Sequence, residues 1–511
     1  MKRRLLTILK NYKFYLIVVC GALLTLTVKH VLSVNSVGHS MIISLAVLTV
    51  YLGIVWTFFY LRKREVPMEK LFLLFAIPLG IAFLVFLPPG ESPDEINHFK
   101  RAYAITEGYF VSEVYDDFGH AGAELPVGFQ DSLVTKPKQG AYTEVITKLS
   151  EPVSEEKAYA AFNNTSLYHW LCYLPQIVGI SIGKVFGASL ELMAYFAEIV
   201  NFVVWLLLIY FSIKLVPKFK TIIMFLALLP ITLQEATSLA PDALAIGLGI
   251  FLTSYVCYLT YVQKTKLKFW GIALLYVLAI LIGYCKIVYL PLVALYLLIP
   301  AERFGSKRAK WIYASLLAVI LLVLNLSWLS ISSQFLVEFN PGVDSHEQIV
   351  GILQNPFHYL MVLFNSFNVM GEFYFTSLLG INLGAFTFNL PTIFFLISFA
   401  LFVILFAQRD EALKVTAFQR VIFGATFCVI LLLTFTSIYI QWSPVNLSYV
   451  DGVQGRYFLP VLLLVPLAIA ACPRSKTSAG ARRAIVSLDT VVCYALTTNL
   501  IAVVMFFAQN V

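Results

Sequence analysis

The sequence predicts an all-α, polytopic integral membrane protein of about thirteen transmembrane helices, and three observations carry that prediction. Hydrophobic residues make up 60% of the 511-residue chain and charged residues 13%, with a mean hydropathy of +0.84. Soluble globular proteins carry about a quarter charged residues, so much of this surface must be solvated by lipid. Apolar runs recur at roughly the 20-residue length that spans hydrocarbon. The alternating strands of a membrane barrel, each about ten residues, are absent. Helices satisfy their own backbone groups in hydrocarbon, which makes them the economical solution.

In chain order, the apolar runs put spans at roughly 14–33, 41–61, 69–88, 192–213, 220–236, 241–262, 267–283, 287–300, 310–331, 389–407, 419–440, 457–472 and 488–508. The amino terminus, MKRRLLTILKNYK, looks like a signal sequence. The run after it is span-length and lacks a small-residue cleavage site, so it reads as a retained first helix. Two more apolar stretches, 170–187 and 357–378, are ambiguous.

Charge bias arbitrates between the alternatives, because basic loops stay on the inner side. With the amino terminus inside, the loop holding Arg62, Lys63, Arg64 and Lys70 is also inside, and the long polar segment 89–168 is outside. If both ambiguous stretches lie along the outer surface, every other basic loop also falls inside. These hold Lys214, Lys218 and Lys220; Lys264, Lys266 and Lys268; Arg303, Lys307, Arg308 and Lys310; Arg409, Lys414 and Arg420; and Arg474, Lys476, Arg482 and Arg483. The carboxyl terminus is then outside. The outer segment 332–356 holds Glu338, Asp344, His346 and Glu347 and no Lys or Arg. The formal charge of +8 is therefore topological and does not mark a nucleic-acid binder. The seven cysteines (Cys20, Cys172, Cys257, Cys285, Cys428, Cys472 and Cys493) make no CxxC pair and read as small core residues.

Three polar constellations face outward. The first, PPGESPDEINH at residues 88–98, reads as a helix start, with Ser92 as N-cap, Pro93 at the first position and Glu95 completing a capping box. Ile96, Phe99 and Tyr103 line one face, and Asp94, His98 and Arg101 line another. The acids serve either as helix-dipole partners or as functional carboxylates at headgroup depth. A carboxylate there can take a proton from a hydroxyl or hold a metal, which makes a divalent cation a candidate cofactor without requiring one.

The second is SLAPD, ending at Asp242, with Glu235 one or two turns back. Glu191 and Glu198 sit at a similar depth, and together these acids suggest an outward-facing polar cavity. The third is GVQGRYFLP at 452–460, whose glycines permit close backbone approach to a ligand. Arg456, with Lys286 at similar depth, either snorkels to lipid or grips the phosphate of a lipid-borne substrate. Asn163-Asn164-Thr165 matches a glycosylation sequon, a frequent chance motif.

SPDEINHFKRAYAITEG, SLAPDALAIGL and GVQGRYFLP resemble three marks of a bacterial family of membrane proteins catalogued as domain of unknown function 2142. That family resembles the GT-C superfamily of membrane glycosyltransferases. The resemblance covers roughly residues 69–472. It implies transfer of a sugar from a polyprenyl-phosphate carrier to a cell-envelope polysaccharide or teichoic-acid-like acceptor on the outer face of a bacterial plasma membrane. It implies Asp94, with Glu95 and His98, as the catalytic group, and Asp242 as a second acid. It further implies Arg456, Lys286, Gln454 and Tyr457 as donor-phosphate contacts. The expected organisation is a helix pair at 1–68, a GT-C-like catalytic module at 69–300 and carboxyl-terminal helices at 301–511. A transporter or flippase, or a polymerase, of lipid-linked polysaccharide is the alternative.

Overall fold

The computed structural model describes residues 2–116, 119–130, 133, 136–337, 340–408, 413–469 and 486–511. Glu338, Arg409, Cys472, Arg474, Lys476, Arg482 and Arg483 lie outside the described residues. Helices predominate among the described residues. Among the described residues eight helices are long and apolar enough to cross a membrane: Tyr12–Val34, Ser40–Lys63, Met68–Phe86, Leu190–Leu215, Asp242–Val262, Lys307–Phe335, Ala417–Gln441 and Leu488–Asn510. Three further expected spans are shorter apolar helices, Phe269–Cys285, Ile287–Leu298 and Thr392–Ala407.

The other two expected spans are interrupted. The run 220–236 splits into Lys220–Ala227 and Pro230–Ala236, because Leu229 is extended and Pro230, lacking an N–H, starts a new helix. The run 457–472 opens as a 3₁₀ turn, Gly455–Val461, followed by the helix Leu464–Ile469, and its end lies outside the described residues. Ile287–Leu298 is 3₁₀ throughout, with Pro291 inside it. At about 2 Å rise per residue its twelve residues reach about 24 Å, against about 18 Å as an α-helix. The tighter winding lets a short run link Lys286 to the far side, where Lys310 Nζ donates to Leu297 O and Ile299 O at 2.9 and 2.6 Å.

Hydrogen bonds and ion pairs sort the connections onto two faces. On one face Asp489 pairs with Arg62 at 2.7 Å and Lys13 at 3.4 Å, and Lys220 pairs with Glu69 at 3.9 Å. Leu267 N donates to Arg303 O, and Arg303 donates to Lys264 O, both at 2.7 Å. On the other face Tyr142 OH donates to Phe86 O at 2.9 Å and Asn510 Nδ2 to Glu91 at 3.3 Å. There too, Gly140 N donates to Val511 O at 3.2 Å. The long loop and Val511 thus share one face, and the basic loops at 62–70, 214–220, 264–268 and 303–310 share the other.

The two ambiguous stretches return to the face they leave. Leu174–Val185 is tied at its start, where Gln176 donates to Leu239 O and Ala240 O at 3.2 Å each. It is tied at its end by the Lys184–Glu107 ion pair. It lies flat on Leu190–Leu215 because Gly179 lacks a side chain; a Cβ there would come within 2.4 Å of Ala197 Cα. Pro356–Leu378 bonds to Thr436 through Tyr359 at 2.7 Å near its start, and Ser377 Oγ accepts Gly455 N at 2.8 Å near its end.

The long loop is itself folded. Strands Glu113–Val114, Ala121–Pro126 and Lys157–Ala161 form an antiparallel sheet with Ala121–Pro126 in the centre. Helix Glu95–Thr106 is buried on both faces, and Arg101, fully buried, pins the following turn by donating to Tyr109 O and Phe110 O at 2.9 and 2.8 Å. Burying a guanidinium is tolerated because those carbonyls accept from it.

Candidate functional site

The loop's first helix begins one residue after Asp94. Asp94 is left-handed, at φ 60°, and its side chain caps none of the helix N–H groups. Ser92 is therefore not the expected N-cap, and only half the capping box forms. Glu95 Oε2 accepts Ser92 N and also Gly90 N, both at 2.9 Å, while the Ser92 hydroxyl makes no hydrogen bond. The left-handed turn is rare for a residue with a side chain, and Asp is among those that tolerate it best. Its effect is to free the Asp94 carboxylate from the helix end. That carboxylate is exposed and accepts Asn164 Nδ2 at 3.0 Å, and Asn164 in turn accepts Asn97 Nδ2 at 3.0 Å.

Glu95 has a different part from the one expected beside Asp94. It is 2% exposed, and its second oxygen accepts Leu239 N at 2.8 Å. Three backbone N–H groups occupy it, so it ties the loop start to the Ser238–Ala240 turn and does not line the cavity beside Asp94. The two adjacent acids consequently do not form a cation-binding pair. Among the described residues no three His, Cys, Asp or Glu side chains come together to hold a metal. Glu191 and Glu198, expected at an outward polar cavity, are instead 1% and 2% exposed within protein.

Asp94 lines a cavity of about 280 Å³. His98, Asn164, Tyr168, Lys286, Tyr289 and Tyr457 line it too. The rest of the wall is mixed: Ile287, Val288, Trp328, Leu329, Leu336 and Ile438 stand among Asn325, Ser332, Ser333, Thr434, Ser437 and Gln441. Lys286 is the sole lysine or arginine on the cavity wall and Asp94 the sole carboxylate, among the described residues. His98 Nδ1 is 2.7 Å from Tyr173 OH. Burial pushes the ring down to about 4, against the pull of Asp94, so His98 is neutral at physiological pH.

Asp242 and Arg456 stand behind this wall. Lys286 Nζ lies 2.7 Å from Asp242 Oδ1 and 4.2 Å from the centre of the Tyr457 ring, a geometry that holds an ammonium from two sides. Arg456, 5% exposed, donates through NH1 to Glu235 at 2.5 Å. Its Nε makes no hydrogen bond and sits 3.9 Å from Asp242 Oδ2. Tyr289 OH donates to Tyr457 O at 2.7 Å and fixes the ring under Lys286. Gln454 does not line the cavity, and its Oε1 is buried without a partner.

The motif glycines serve packing and not close ligand approach. A Cβ on Gly455 would meet Tyr374 O at 2.0 Å, and one on Gly452 would meet Trp442 at 2.4 Å. The structure thus brings Asp94, His98, Lys286 and Tyr457 to one cavity and sets Asp242 and Arg456 one layer back. Glu95 and Gln454 stay apart. Sequence reasoning missed the polar partners Asn164, Tyr168 and Tyr289. Asn164 had surfaced only inside the sequon, and the two tyrosines carry no local signal.

Fold and cavity define a class, a multi-pass α-helical membrane protein with a cavity lined by both charged and apolar side chains. The chain belongs to the family of predicted membrane proteins DUF2142, whose sequence model matches residues 77–465. No curated protein and no solved structure matches it.

Proposed function

We propose that the protein is a membrane glycosyltransferase that moves a sugar from a polyprenyl-phosphate carrier to a cell-envelope glycan, on the outer face of a bacterial plasma membrane. The observation that supports this reading best is the cavity. One carboxylate, Asp94, and one cation, Lys286, line a cavity that also has apolar wall at Trp328, Leu329, Leu336 and Ile438. That pairing suits a ligand with a lipid tail, an anionic phosphate and a sugar. In this reading the tail lies along Leu329 and Ile438, and the phosphate meets Lys286.

Asp94 takes the proton of an acceptor hydroxyl as its oxygen bonds to the anomeric carbon. The bond from that carbon to the phosphate oxygen breaks, through an oxocarbenium-like transition state. The electron pair leaves with the lipid phosphate, whose developing charge Lys286 stabilises. Neutral His98 and Asn164 orient the carboxylate and acceptor. The amino terminus lies inside and the carboxyl terminus outside, which puts the cavity where envelope polymers are decorated.

Compositional analysis of envelope glycans with and without the protein tests the proposal. It predicts loss of one sugar substituent from an otherwise intact polymer. A change in polymer length with unchanged composition would instead indicate a polymerase. Unchanged composition and length would overturn the proposal.

A further inference from the structure

Four charges run back from the cavity: Lys286 on its wall, then Asp242, Arg456 and Glu235 behind it. Two cations face two anions, so the group is neutral when empty of ligand. Lys286 is already committed to Asp242 at 2.7 Å, so an anion entering the cavity must compete with that carboxylate. Taking Lys286 away would leave the half-buried Asp242 carboxylate without its nearest cation, an unfavourable state for a charge held largely within protein. A reserve partner is present. Arg456 Nε is buried, makes no hydrogen bond and lies 3.9 Å from Asp242 Oδ2, while NH1 stays on Glu235.

We infer that Arg456 is a positioning residue and does not grip the ligand. When an anionic headgroup draws Lys286 off Asp242, Arg456 closes onto that carboxylate and keeps it paired. The four-charge set therefore hands a lysine to the ligand without stranding an anion. Glu235 holds Arg456 in place for the exchange, and the Tyr457 ring keeps the ammonium near the cavity wall in both positions.

The inference rests on the lipid-phosphate reading of the cavity, and one experiment separates the two. Affinity for a short-chain polyprenyl monophosphate is measured on the purified full chain in detergent, with the matching polyprenol as control. Glu235 and Arg456 are removed together, as Glu235→Gln with Arg456→Gln, so that neither charge is left buried alone.

The double variant is expected to bind the phosphate at least about tenfold more weakly, because Asp242 now retains Lys286. Adding Asp242→Asn is expected to restore affinity to within about threefold of wild type, since nothing then competes for the lysine. Failure of that third change to rescue binding would mean that Arg456 contacts the phosphate itself, and would overturn the inference alone. Equal affinity of the double variant and wild type would overturn it too. If the wild type prefers phosphate to the alcohol by no margin, the reading of the cavity fails and the inference fails with it. Should the double variant not fold, Asp242→Asn alone decides: the inference expects affinity equal to or above wild type, and a loss contradicts it.

Discussion

At the scale of single residues, the site depends on which acids are occupied by the protein and which are left for a ligand. Asp94 and Glu95 are neighbours in sequence, yet Glu95 accepts three backbone N–H groups and Asp94 accepts one side-chain amide. Glu91, close by, is 1% exposed and meets Asn510, and burial pushes its carboxyl up to about 8. The folded protein thus holds a proton on Glu91 between its ordinary value near 4.5 and about 8, where the unfolded chain has released it. That contribution is present below the lower value and is lost as pH rises through the upper one. Glu91→Gln should therefore flatten the fall in melting temperature over this window, removing a contribution on the order of a few kcal/mol. Parallel pH profiles for variant and wild type would contradict the assignment. Asp94 was legible because its motif is short and local. The partner of Arg456 was not, since Glu235 lies 221 residues away and only the folded chain joins them.

At the scale of elements, the helix starts and stops are where sequence and structure part. Pro230 and Pro291 are visible in the sequence, but hydropathy averages across them, so a broken helix and a 3₁₀ run both appear as ordinary spans. Amphipathicity could not separate a helix tied at both ends to one face, such as Leu174–Val185, from a crossing one, and the charge bias of distant loops pointed to the former. The segment Gly455–Val461 shows how tightly these irregular pieces are fitted. Its first residue touches the backbone of Pro356–Leu378, with Gly455 N bonded to Ser377 Oγ at 2.8 Å. Gly455→Ala should cost about 1–3 kcal/mol through overpacking and lower the melting temperature in detergent. Phosphate affinity should fall with it, because Arg456 and Tyr457 follow directly in the chain. A variant as stable as wild type would show that the contact is not as close as described.

At the scale of the whole molecule, the last helix runs through the interior and ties the two faces together. Asp489 at the start of the last helix joins Lys13 and Arg62, and Asn510 at its end joins Glu91 of the long loop. These bonds fix Val511 on the face that carries the cavity, so a reporter fused after Val511 should be active only outside the cell. A cytoplasmic reporter would invert the proposed orientation. The long polar loop, the basic loops and the apolar runs made this arrangement readable from composition and charge alone. The cavity was not readable, because its walls come from six separate segments, at 94–98, 164–168, 283–289, 325–336, 434–442 and 457. The central claim, that this cavity transfers a sugar with Asp94 as base, is tested most directly by Asp94→Asn. Envelope glycans from cells making this variant at normal levels in the membrane should lack the substituent that wild-type cells carry. Full modification by the variant would contradict the claim.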